Sequence, residues 1–150
     1  MNAYLTIAIL AAAGIAVVMQ NLLMVRITAS VSTVLVTLVI NSGMGLALLL
    51  ATLLLRNGIN GMTEAVNAVR PWAILPGLLG SFFVFAGIVG YQSVGAAATI
   101  AVLVASQLIA GLLVDAWKAG ALDGSRMNVH SLLGAGLLVA GAVLIAHRRI

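Results

Sequence analysis

The sequence predicts an all-α, polytopic membrane protein with five transmembrane helices, and three observations predict it. The 150 residues are 63% hydrophobic and only 7% charged. A soluble domain carries about 25% charged residues because it must clothe its surface in water; ten charges cannot cover a globule of this size. Mean hydropathy is +1.25. The few charges, finally, are spaced so that the stretches between them match the ~20 apolar residues that cross a bilayer core of about 30 Å.

The charges mark where each span stops. Residues 3–25 form the first span, closed by Arg26, and residues 31–55 the second, closed by Arg56. The opening MNAYLT has no Lys or Arg and the charge-free run reaches Val25, which is too long and lacks the basic start of a signal peptide. An uncleaved span is therefore expected. From Pro71 to Val114 no charge occurs, which is room for two crossings with a reversal at Tyr91-Gln92-Ser93-Val94-Gly95. These become spans 72–91 and 95–117. The fifth, 129–146, ends before His147-Arg148-Arg149. All five belong to one membrane domain, residues 1–150. The sizeable loops are 56–71 and 118–128. The first carries Asn57-Gly58, Asn60-Gly61 and then Thr63-Glu64-Ala65-Val66, a capping pattern for a short interfacial helix. Pro71 suits the first turn of the third helix, where its missing N–H has no partner to lose. Trp72 and Trp117 fall at the water–lipid borders that indole prefers.

The composition also excludes. With no cysteine there are no disulfides and no thiolate chemistry. The net charge of +4 rests on scattered residues without interleaved aromatics, which anchors helices at an interface and does not read nucleic acid. His130 and His147 lie at opposite ends of the last span, with no HxxxH or carboxylate cluster beside them, so no metal site is expected. No paired acids or nucleophile–base set is present, no cofactor is implied, and the chain is not expected to be an enzyme.

Orientation is nearly balanced. With the N-terminus inside, Arg56, Arg70, Lys118 and Arg126 are inside and Arg26, Arg148 and Arg149 outside. Four against three gives the positive-inside rule little to act on. Fixed insertion and insertion both ways round stay open; the second permits an antiparallel homodimer. Small residues supply the packing surface: Gly77, Gly80, Gly87 and Gly90 on the third helix, Ser106 and Ala110 on the fourth, Gly134, Gly136, Ala140 and Gly141 on the fifth.

Polar residues inside the spans are the candidate site. Asn41-Ser42 interrupts a span with fourteen Val, Ile and Leu residues. At about 0.3–0.6 kcal/mol each, these outweigh the ~2.5–3.5 kcal/mol of even a central charge, so the span inserts regardless. Asn41 then either bonds a neighbouring helix or faces a wet cavity, with Gly43 and Gly45 loosening the helix so that Asn41 or Ser42 caps a half-helix. Gln107, Gly111 and Asp115 follow at steps of four, roughly along one face. Asp115 either pairs with Lys118 at i+3 or serves as a coupling or substrate-binding acid. Gln20-Asn21 is a cavity lip or an interfacial end. Phe82, Phe83 and Phe85 either pack or face lipid, or form a wall that binds cations.

Several stretches resemble a known family. WAILPGLLGSFFVF (72–85), QLIAGLLVDAW (107–117), Gly120, RMNVHSLLGAGLLVAG (126–141) and Gln20 look like the YdcZ-like family, small five-helix members of the drug/metabolite transporter superfamily. The resemblance implies an inner-membrane, multi-pass bacterial exporter of small molecules. Larger members resemble two five-helix repeats fused head to tail, and an odd helix number inverts the second repeat. A lone five-helix chain would recover that ten-helix architecture as an antiparallel homodimer. The relatives' cavity-lining helices, first, third and fourth, favour Gln20, Phe85, Tyr91, Gln107 and Asp115, and weaken the case for Asn41. Four-helix members use a glutamate in their first helix to couple cation and proton. The first helix here has no acid, which puts cation–proton antiport in doubt unless Asp115 substitutes.

The expected function is a secondary transporter working by alternating access at a midplane cavity shared by the dimer. Gln107, Gln20, Asn41, Ser42, Phe85 and Tyr91 would contact a small polar, zwitterionic or cationic substrate, with Asp115 as coupling acid. The competing expectation is a non-transporting accessory subunit that needs a different partner chain.

Overall fold

The computed structural model describes residues 2–118 and 129–147, and every regular element in them is helical. Five α-helices follow in order: α1 (Ala3–Thr28), α2 (Val34–Asn67), α3 (Ile74–Ser93), α4 (Ala96–Lys118) and α5 (Val129–His147). Four candidate spans, Ala3–Thr28, Val34–Asn67, Pro71–Ser93 and Ala96–Trp117, have mean hydropathies of 2.0–2.2. The described apolar part of α5, Leu133–His147, is shorter. Large side chains such as Ile7, Leu48, Leu79 and Leu137 lie exposed along these helices. Exposed apolar surface on this scale is what a lipid solvent requires.

The chain divides into two compact units, one up to Val89 and one from Gly90. In the first, Asn2 caps α1 by accepting from the Tyr4 amide, and Thr33 caps α2 by accepting from Val36. α1 runs three residues past its expected end because Arg26 is a good last-turn residue beside the helix's free carbonyls. The two helices are joined by hydroxyls. Thr28 donates to the Met24 carbonyl at 2.9 Å, so its one proton is committed. Its 2.9 Å bond to Thr37 must then run from the Thr37 hydroxyl to Thr28 Oγ1. Thr37 is fully buried and Met24 nearly so.

Two expectations for α2 are corrected. The helix is continuous through Asn41–Gly45, so neither Asn41 nor Ser42 caps a half-helix; isolated glycines cost helix stability but do not break a helix held by its own backbone bonds. The break comes at Gly58, whose φ of 62° and ψ of −156° are non-helical. This backbone region is essentially restricted to glycine. A Cβ on Gly61 would lie 2.6 Å from Asn57 Cβ and 3.1 Å from Leu53 Cδ1, so residues 59–67 fold closely onto the turn before the break. The short helix foreseen in the 56–71 loop is this extension, and Thr63 lies within it. Its hydroxyl donates back to the Ile59 and Asn60 carbonyls at 3.0 and 2.9 Å instead of capping the start.

Arg70 is extended, as a residue before proline tends to be, and Pro71 opens a 3-10 turn (Pro71–Ala73) that leads straight into α3. In the second unit the reversal into α4 falls at Gly95, with φ of 86°. Both Val94 and Gly95 amides donate to the Gly90 carbonyl, at 2.9 and 3.2 Å. Thr99 donates its hydroxyl to the Gly95 carbonyl at 2.8 Å. α4 and α5 pack through alanines at heptad spacing: Ala98 and Ala105 on one, Ala135 and Ala142 on the other, all buried. The glycines expected to supply the packing surface of α5 are not the residues buried in this seam. A methyl placed on Gly134, Gly136 or Gly141 would meet no atom within 4 Å. Alanine still allows close approach while burying a methyl of its own. Beside this seam runs an apolar groove of ≈ 410 Å³ between Ala97, Ala101 and Val104 of α4 and Leu138, Gly141 and Ile145 of α5.

Candidate polar site within the apolar helices

Residues 20, 24 and 28 share one face of α1 because they are spaced by four, and residues 37 and 41 share one face of α2 for the same reason. These faces meet. Gln20 Nε2 donates to Asn41 Oδ1 at 3.0 Å, eight residues along α1 from the Thr28–Thr37 bond. Polar bonds therefore join α1 to α2 at two levels, with the buried Met24 between them on α1. Arg26 marks the polar border of α1, and Gln20 lies about 9 Å of helix rise inside it. Asn41 thus does bond a neighbouring helix. Half-exposed as it is, with Gln20 exposed beside it, it also keeps amide hydrogen-bonding capacity free: the Gln20 carbonyl and both Asn41 N–H groups remain unused by this bond.

Asn21 faces elsewhere, since consecutive helix residues point about 100° apart. It is buried, 6% exposed. A Cβ on Gly87 of α3 would sit 3.3 Å from Asn21 Oδ1, so α3 approaches α1 closely because residue 87 is a glycine. Ser42 is exposed one position from Asn41, and Phe82 and Phe85 are exposed on α3.

In the second unit, a Cβ on Gly90 would lie 2.6 Å from Thr99 Cγ2 and 2.7 Å from Thr99 Oγ1. Tyr91 is buried, and its hydroxyl has no hydrogen-bond partner among the described residues. Gln107, Gly111 and Asp115 lie on α4 and are all exposed, a polar stripe at four-residue steps. Of the foreseen site residues, the structure brings together Gln20 and Asn41. The side chains of Lys118 and His130, and with them the Asp115–Lys118 pair, lie outside the described residues, as do Gly120, Arg126, Arg148 and Arg149. No group of three metal-binding side chains occurs among the described residues. Sequence reasoning missed Thr28, Thr37 and Thr99. The signal was the shared spacing, since Thr28 stands eight residues after Gln20 and Thr37 four before Asn41.

Residues 5–144 match the family described as "Putative inner membrane exporter, YdcZ". The chain is 53% identical over 148 residues to the Inner membrane protein YdcZ of Escherichia coli (strain K12), covering 99% of each chain. No solved structure matches.

Proposed function

The chain belongs to the YdcZ family and is a multi-pass protein of the bacterial inner membrane, and from that premise we propose that it exports small molecules by alternating access. Its five helices act as one membrane domain, and two copies in opposite orientations form the transporter. The observation that carries this reading is the Gln20–Asn41 bond. Two amides on apolar helices are held to each other, with Gln20 exposed and Asn41 half-exposed on the single chain. In hydrocarbon an uncovered polar group costs several kcal/mol. A second copy and an enclosed aqueous cavity relieve that cost together. The exposed Ser42, Gln107 and Asp115 argue the same way, and the balanced arginines permit the inverted arrangement.

In this mechanism Gln20, Asn41, Ser42 and Gln107 offer hydrogen bonds to the substrate, and Phe85 and Tyr91 supply apolar wall. Asp115, the carboxylate of the α4 stripe, is the coupling group. Binding shifts the population between inward- and outward-open states only by its differential affinity for them. A thermal-shift screen of metabolites against the purified protein identifies the ligand, because binding stabilises only what it fits. Efflux of that ligand from proteoliposomes then compares the wild type with Gln107→Leu. The variant is expected to lose efflux while remaining dimeric; unchanged efflux would remove Gln107 from the site.

A further inference from the structure

We propose that Tyr91 is a two-position switch at the end of α3: its hydroxyl is shut away in this structure, and a second rotamer turns it out to water. The proposal gives the alternating-access reading above a moving part; it rests on that reading for its purpose and not for its measurement. Tyr91 is 9% exposed, and its hydroxyl oxygen is enclosed, with no hydrogen-bond partner among the described residues. A phenol both donates and accepts. Leaving a buried hydroxyl unpaired disfavours a conformation by roughly five- to a hundredfold against one in which it is paired. Packing alone does not call for that hydroxyl, because Ile88, three residues earlier on the same helix, fills a fully buried position with hydrocarbon.

The polar groups of the adjoining turn are already engaged. The Gly90 carbonyl accepts from the Val94 and Gly95 amides, at 2.9 and 3.2 Å. The Thr99 hydroxyl gives its proton to the Gly95 carbonyl at 2.8 Å. These bonds hold the backbone of the reversal, with Gly95 at φ of 86°, so movement is left to the side chain. On a helix the χ1 of an aromatic residue has two open wells, near about 180° and −60°. Water is close by: Gln92 and Ser93 come next on the chain, both are exposed, and α3 ends at Ser93. Tyrosine at a membrane border ordinarily keeps its ring in the apolar layer and its hydroxyl in the wet one. Turning out pairs the hydroxyl with water and withdraws the ring from its buried place; turning in does the reverse. Opposed terms thus hold the two positions near balance, where a bound molecule shifts the population.

Tyr4 and Tyr91 are the two tyrosines. The Tyr4→Phe chain, grown with meta-fluorotyrosine, therefore carries one fluorinated tyrosine, at position 91. In lipid nanodiscs its fluorine resonance reads the switch. A fluorine in water shifts between light and heavy water and relaxes faster beside a dissolved gadolinium chelate; a shut one does neither. The comparison chain is Tyr91→Phe with a para fluorine, where the hydroxyl stood, introduced at that codon alone. The ratio of turned-out to shut signal is expected to be about fivefold or more higher with the hydroxyl than without it. A tyrosine signal insensitive to both heavy water and chelate would overturn the proposal. Equal ratios in the two chains, whatever the thermal stability of Tyr91→Phe, would make the hydroxyl a packing defect and overturn it too. Should Tyr91→Phe not elute as folded protein, the tyrosine chain is read alone: a wet and a shut population uphold the switch, and a shut one by itself overturns it. No substrate is added in any arm. A wild type that moves nothing across proteoliposomes would remove the transport reading and leave this measurement standing.

Discussion

The Thr37 hydroxyl donates to Thr28 Oγ1 at 2.9 Å, and Thr28 in turn donates to the Met24 carbonyl of its own helix. The bond is made where water cannot compete, since Thr37 has no exposed surface. Thr37→Val keeps the shape and removes the proton, leaving Thr28 bonded to Met24. Interhelical hydrogen bonds in membranes average about 0.6 kcal/mol and reach ~1.7. Thermal unfolding in detergent is expected to show a loss in that range, with assembly unchanged by gel filtration.

Gly90 and Thr99 are fitted to each other more tightly. Because a Cβ on Gly90 would lie 2.6 Å from Thr99 Cγ2, Gly90→Ala forces a shift costing about 1–3 kcal/mol. Thr99→Ala removes both clashing atoms. The double variant is therefore expected to be more stable than the sum of the two single changes predicts. Strict additivity in that cycle would mean the two residues do not touch.

The break in α2 makes a geometric prediction. Nitroxides at Leu46 and Val66, both exposed, would be about 30 Å apart along a straight helix. With Gly58 in its positive-φ conformation they are expected to be closer. Gly58→Ala disfavours that conformation by about 1–3 kcal/mol, so the interspin distance in the variant is expected to lengthen toward the straight value.

Opposite orientation of two copies is tested without knowledge of the substrate. Cysteines placed at positions 2 and 150 and labelled from outside intact cells are each expected to show a partly accessible population. Complete protection of one terminus with full labelling of the other would leave a single orientation.

How much of this could be read from the sequence varies by element. The helices were legible because lipid imposes a coarse rule, one apolar length between charges, and that rule does not depend on neighbours. The end of the 31–55 span was less so. Arg56 marks a polar border, but a helix need not stop there; its backbone bonds continue until Gly58 leaves helical geometry. The glycines were legible in part: Gly87 and Gly90, both expected to pack, meet Asn21 and Thr99, and Gly61 meets Asn57, whereas Gly77, Gly80, Gly134 and Gly141 have open space around them. Composition shows that small residues are present, but only the position of an opposing side chain shows which of them permit an approach.

The sequence by itself determined the solvent, the helix number and the scarcity of polar groups at depth, because partition between water and hydrocarbon is a property of each segment alone. Only the tertiary structure decided that Gln20 meets Asn41, that Thr37 meets Thr28, and that Asn21 stands against Gly87. Hydrogen bonds reach about 3 Å and are directional, so their pairing depends on how two helices lie against each other. Hydropathy along one chain carries no record of that.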